Sequence, residues 1–213
     1  MDAHQLTAKV NHGNSKAAKL LGGTARHYRA ASPFSPLDDQ PVRHLSASFA
    51  VDYGYMRAAR FGQATRIGIF DATGFKAGDI LVSTEGTFYV AAMPLLQPIL
   101  CVSADRLVKI GRTAQPGNDA GLLDYGGTTA ANEKLIMSGW PASILLSRGG
   151  EHSPIKLPGE MRSAWQNILM PAFSGVTLHT GDFVTDDNGH RYVISSTELT
   201  DMGWRLIALQ VTV

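Results

Sequence analysis

The chain has one cysteine in 213 residues, so no disulfide can form within it. Cys101 lies in the apolar run Ile99-Leu100-Cys101-Val102 and reads as a buried, inert thiol, suited to a reducing compartment. Charge is also scarce. Asp, Glu, Lys and Arg make up 17% of the residues, against about 25% in an ordinary soluble domain. A surface this poor in charge fits a chain that faces other subunits. The formal net charge is +1, so no overall field draws the chain to nucleic acid or membrane. No apolar run approaches the roughly 18 residues of a membrane helix, and no apolar stretch follows the N-terminal charges as in a signal peptide.

The usual marks of catalysis are missing as well. The seven histidines show no i,i+4 pair with a carboxylate nearby, so no metal site is expected. There is no phosphate loop and no dinucleotide fingerprint: Gly111-Arg112 and Gly126-Gly127 lack the strand, helix and Lys that such loops need. Gly-x-Ser-x-Gly is absent. The expectation is a protein that is not an enzyme and carries no cofactor.

What the chain does have is a segment written twice. Gly78-Asp79-Ile80-Leu81 runs through Gly86 to Tyr89-Val90, and Gly181-Asp182-Phe183-Val184 runs through Gly189 to Tyr192-Val193. Gly, Asp, Gly, Tyr and Val match at one offset of 103 with no gap. Upstream, Ala47-Ser48 with Gly54 echoes Ala142-Ser143 with Gly149 at an offset of 95, leaving about eight extra residues in the second copy. Each residue of the unit has a folding role. Gly permits a tight turn, the Asp side chain accepts backbone N–H bonds there, and the apolar residues enter a sheet. Gly78, Asp79, Gly86, Gly181, Asp182, Asn188 and Gly189 are therefore expected as structural turn residues. Asn188-Gly189 predicts a tight hairpin in which both central residues take positive φ.

The rest of the pattern is short apolar runs separated by turn residues, from Leu45 to Tyr53 onward, as in small barrels or sandwiches. The expected fold is mainly β: two tandem small β-barrel or sandwich units, an internal duplication, with an N-terminal helical arm. The divisions read from the sequence are 1–41 for the arm and its Pro-rich tether, 42–112 for the first β domain, 113–131 for a loop or linker, and 132–213 for the second β domain. Within the arm, residues 3–21 predict two short helices interrupted at His12-Gly13-Asn14, the second capped by Ser15 and ended by Gly22-Gly23. Asn132 to Met137 predicts a helical turn, and Met161 to Met170 a short helix stopped by Pro171. Lys9, Lys16, Lys19, Arg26 and Arg29 face Asp2 alone in the first thirty residues. With Tyr28 and Phe34 they form a candidate interface, either for a protein groove or for DNA phosphate.

Several stretches together resemble structural proteins of tailed bacteriophages and prophages. They are Gly13-Asn14-Ser15-Lys16-Ala17-Ala18, Tyr28-Arg29, Pro33-Phe34-Ser35-Pro36-Leu37, Tyr125-Gly126-Gly127-Thr128-Thr129-Ala130, Ser138-Gly139-Trp140-Pro141-Ala142-Ser143, and Thr180 to Asp187 through Tyr192-Val193 to Gly203-Trp204-Arg205-Leu206. The Gly-Asp…Gly…Tyr-Val pattern is also similar to small β-barrel head–tail joining and tail-completion proteins. That resemblance implies a virion protein assembled in the host bacterial cytoplasm. It would be a homo-oligomeric ring acting as head–tail connector or tail component, in contact with the portal or other tail proteins and with passing DNA. A receptor- or carbohydrate-binding minor tail protein is the alternative, with Trp140, Trp165 and Trp204 as stacking faces.

Overall fold

The computed structural model describes residues 2–37, 40–52, 58, 60–113, 133–147 and 164–211. Among these residues one helix, α1 (Ala3–Leu21), precedes twelve strands. The first six are β1 (Gly23–Tyr28), β2 (Arg43–Ala50), β3 (Thr65–Phe70), β4 (Ile80–Ser83), β5 (Gly86–Ala92) and β6 (Ile99–Ala104). The second six are β7 (Arg106–Thr113), β8 (Glu133–Leu146), β9 (Trp165–Met170), β10 (Phe183–Asp186), β11 (Arg191–Thr200) and β12 (Gly203–Val211).

The strands close into two barrels, in the order β1-β2-β3-β6-β5-β4 and β7-β8-β9-β12-β11-β10. The second order is the first with every strand moved six places. The tandem β architecture read from the sequence is thus present, and the repeat extends over all six strands of each unit. Inward-facing side chains fill both barrels. Phe70, Leu81, Phe88, Val90 and Cys101 fill the first, with Phe49 stacked on Phe88 at 3.6 Å. Ile110, Met137, Trp140, Ile168, Met170 and Leu206 fill the second.

The register corrects the repeat in one detail. Ile80 pairs with Tyr89, whereas Phe183 pairs with Val193. The second hairpin is one residue longer, so Tyr89 corresponds to Val193 and Phe88 to Tyr192. Tyr89 points outward and Tyr192 inward, as a one-residue slip in a strand demands. The Gly78-Asp79 and Gly181-Asp182 identities are structural equivalents, and the Tyr-Val identities are not. The Ala-Ser echo holds, since Ala47 and Ala142 are buried at matching places on β2 and β8. Gly54 and Gly149 lie outside the described residues.

The boundaries also differ from the reading above. The segment 1–41 is not a separate arm, because β1 closes the first barrel by pairing with both β2 and β4. The second barrel begins with β7, so the division falls at Asp105 rather than beyond 112. The loop expected over 113–131 lies outside the described residues from 114 onward. The helix α1 is continuous. A mid-helix Gly13 costs about 1 kcal/mol, and its neighbours His12 and Asn14 are weak helix formers, but the helix lies against β2 and β3. At its end, Gly22 passes so close to β2 that a Cβ there would stand 2.1 Å from the Ala47 carbonyl. Residues 133–137 are strand, not a helical turn, and 165–170 are strand β9, not helix. Short apolar runs fit either period, and pairing between β8 and β12 decides this one.

The barrels pack on each other. Tyr28, Ile80, Tyr89, Ala91 and Val102, on the outside of the first, meet Leu145 and Leu169 of the second. The Pro-rich stretch is a strap rather than a free tether. The Pro33 carbonyl accepts the Trp140 indole N–H at 2.6 Å and the Ser138 amide at 3.0 Å, and Ala30 packs against the second core.

Candidate functional site

Each Gly-Asp step builds the same buried polar knot. Gly78 and Gly181 both take φ of 90°, a left-handed geometry that a side chain resists. The Gly78 amide donates to the Val90 carbonyl at 2.8 Å, and the Gly181 amide to Ile194 at 2.8 Å. Asp79 and Asp182 then turn inward and are buried. Asp79 accepts the Lys76 amide at 2.9 Å, and Asp182 the His179 amide at 2.7 Å. These are the backbone bonds expected of the Asp side chain.

Two arginines complete the knots: Arg29, which the sequence placed at a candidate interface, and Arg112, which it assigned no role. Arg29 donates Nε to Asp79 Oδ1 at 2.8 Å and Nη2 to Oδ2 at 2.6 Å, and Nη2 also reaches the Gly74 carbonyl. Arg112 donates Nε to Asp182 Oδ1 at 2.7 Å and Nη2 to Oδ2 at 2.8 Å, with Nη2 also on the Thr177 carbonyl. Bidentate pairs of this kind are among the stronger polar contacts. The signal was present: Arg29, next after β1, and Arg112, near the end of β7, occupy the same place in the two barrels, as the pairing of Tyr28 with Ile80 and of Gly111 with Phe183 shows.

The knots differ at one side chain. Buried His27 brings Nε2 within 2.9 Å of Asp79 Oδ2 and stacks on Phe75 at 3.9 Å, with the Arg43 guanidinium on the same ring at 4.8 Å. The second barrel has the core residue Ile110 in that place. Burial alone would raise the Asp79 pKa, but hydrogen bonds from His27, Arg29 and the Lys76 amide outweigh it and hold the carboxyl at about 2.

A third buried carboxylate, Asp186, organises the last hairpin. Its Oδ1 accepts the Asn188 amide at 3.0 Å and the His190 amide at 2.8 Å. Gly189 has φ of 84°, while Asn188 keeps an ordinary negative φ. The two-residue Asn-Gly turn expected from the sequence is therefore replaced by a longer loop wrapped around Asp186. Gly86 sits at the end of the β4–β5 turn with positive φ.

The candidate interface residues scatter. Lys9, Lys16 and Lys19 are exposed on α1, and Arg26 is exposed on β1. Phe34 is exposed on the strap. Tyr28 is buried between the barrels, and Arg29, though its side chain is partly exposed, is held by the Asp79 knot. Trp140, Trp165 and Trp204 are all buried and offer no open ring to a sugar.

Apolar surface gathers elsewhere. A cleft of about 210 Å3 lies between α1 and the rim of the first barrel, lined by Val10, Asn14, Thr73, Met93, Leu95 and Leu96. Leu6, Val10, Leu95 and Leu96 are exposed around it, and Leu20 at the helix end is 86% exposed. Leu96 has φ of 58°, a geometry that a leucine adopts only at a cost. Among the described residues, no three His, Cys, Asp or Glu side chains converge.

No protein-family model matches the chain. Comparisons with curated proteins and with solved structures give no match either.

Proposed function

We propose that this chain is a non-catalytic structural subunit of a tailed-phage virion, forming a homo-oligomeric ring where the portal meets the tail. The observation that carries the reading is the division of labour among its side chains. The buried carboxylates Asp79, Asp182 and Asp186 are all spent on holding turns, while large apolar side chains stand in water along α1 and the 93–98 turn. A strained Leu96 that presents its side chain outward supports the same reading, since such strain gathers at binding surfaces. The likeness to phage structural proteins supplies the setting. The partners would be further copies of the chain and the portal or other tail proteins, and the lysines of α1 suit loose contact with passing DNA phosphate.

Electron microscopy of the intact particle tests this. A symmetric ring of this chain adjoining the portal is the expected result, and particles lacking the chain should leave heads and tails unjoined. Heads and tails that join normally without it, with the chain found as a monomer in the host cytosol, would sink the proposal.

A further inference from the structure

Each barrel has two outer faces that matter here. One belongs to its second and third strands, β2–β3 or β8–β9. The other belongs to its fourth to sixth strands, β4–β6 or β10–β12. Within the chain, the β4–β6 face of the first barrel, with Ile80, Tyr89 and Val102, sits against Leu145 and Leu169 on the β8–β9 face of the second.

The β2–β3 face of the first barrel is covered too. Helix α1 lies on β2 and β3, and the outward residues Ser48, Ala50 and Ile69 are buried. Thus α1 holds, on the first barrel, the place that the first barrel holds on the second.

Among the described residues, the face of this series that remains is that of β10–β12. The register makes Phe183, Val193 and Leu209 the counterparts of Ile80, Tyr89 and Val102. Val193, Ile207 and Leu209 are half-buried rather than sealed. The Arg191 guanidinium, paired with Glu133, lies 4.2 Å over the Phe183 ring. Beside it a cleft of about 380 Å3 is lined by Lys109, Gly111, Thr185 and Arg191. Gly111 stands where the first barrel has Tyr28, the side chain that fills this place between the barrels.

We infer that the β10–β12 face binds a second copy of this chain through that copy's β2–β3 face, in the arrangement the two barrels already take within one chain, and that α1 swings off β2–β3 to allow it. The occupant follows from the repeat: a second-and-third-strand face is what covers the equivalent surface inside the molecule. The helix is lightly held, since Ala18 alone among its residues is fully buried while Leu6, Val10, Leu20 and Leu21 are exposed. Terminal units of repeat arrays carry such covers, and here the cover hides the surface that would extend the array. The contact is head to tail, so copies close into a ring or run on as a filament. The inference rests on the assembly reading above and specifies its interface.

Sedimentation velocity of the full-length chain over a range of concentrations, with hydrogen exchange of the α1 amides, tests it. Ala18→Glu places a charge under the helix and should lower the concentration for association at least tenfold relative to the unaltered chain. Adding Thr185→Arg or Val193→Glu on the β10–β12 face should reverse that gain. Thr185→Arg serves if Val193→Glu does not fold, because a long arginine at the rim of the face reaches water. The α1 amides should exchange faster in the assembled state. Association that ignores both face substitutions, or that leaves α1 as protected as in the monomer, overturns this docking while the assembly reading stands. If neither the unaltered chain nor Ala18→Glu associates at any concentration, both are overturned.

Discussion

Asp79 and Asp182 are a matched pair with unequal support, which makes them a controlled comparison. Removing Arg29 leaves Asp79 with His27 and the Lys76 amide, whereas removing Arg112 leaves Asp182 with the His179 amide. Leaving a buried charge short of partners costs several kcal/mol. We expect Arg29→Ala to cost about 2 kcal/mol and Arg112→Ala about 3 kcal/mol, read from urea unfolding midpoints; equal losses would mean that His27 contributes nothing. Asp79 also sets a pH dependence. Its carboxyl titrates near 3.8 when unfolded and at about 2 when folded. The unfolded chain therefore binds the proton first as pH falls. The stabilisation is complete above about pH 5 and drains away toward pH 2, by about 2 kcal/mol once screening at half-open Arg29 is allowed for. Urea midpoints at pH 6 and pH 2.5 measure it, and Asp79→Asn should flatten the difference. The sequence displayed both carboxylates because their glycines mark the turn. It hid the arginines because they lie 50 and 70 residues away, joined only through strand pairing.

Among the elements, α1 depends on one close approach. A Cβ at Gly22 would meet the Ala47 carbonyl, a backbone atom that cannot move aside. Gly22→Ala should lift the end of α1 from the barrel. Hydrogen exchange across 3–21 should rise at least tenfold while amides of β4 and β5 keep their protection; unchanged exchange would show that the contact does not anchor the helix. Most strands were legible as short apolar runs between turn residues. Residues 165–170 were not, because Trp165, Ile168 and Leu169 also fit a helical spacing and their pairing partners are remote in sequence. The slip between Tyr89 and Tyr192 was hidden for a related reason. An identity of letters at constant spacing carries no record of the one-residue insertion that turns one ring out and the other in.

At the scale of the molecule, the shared cluster around Tyr89 and the strap at Pro33 join the two barrels, and we expect them to unfold as one unit. Tyr89→Ala removes a large side chain from that cluster without touching either barrel's interior. We expect it to split a single thermal transition into two, visible by calorimetry; a single transition at lowered temperature would place the coupling in the strap instead. Cys101 supplies a reporter for the first barrel. Burial pushes its thiol up to about 12, so it should resist thiol reagents until that barrel opens. The two-unit plan was readable from the repeat, but its boundary was not. Residues 23–28 looked like part of an arm because their own barrel partners lie beyond the proline-rich stretch.

Closure of both barrels has one more consequence. Each first strand pairs with the fourth of its own unit, so neither ring of strands leaves an open rim of backbone donors and acceptors. A neighbour is not recruited by adding a strand to the rim of either barrel, which would accept nearly any extended sequence. Contact has to be made by shape and side-chain identity, a vocabulary in which single substitutions change the partner without disturbing the scaffold beneath.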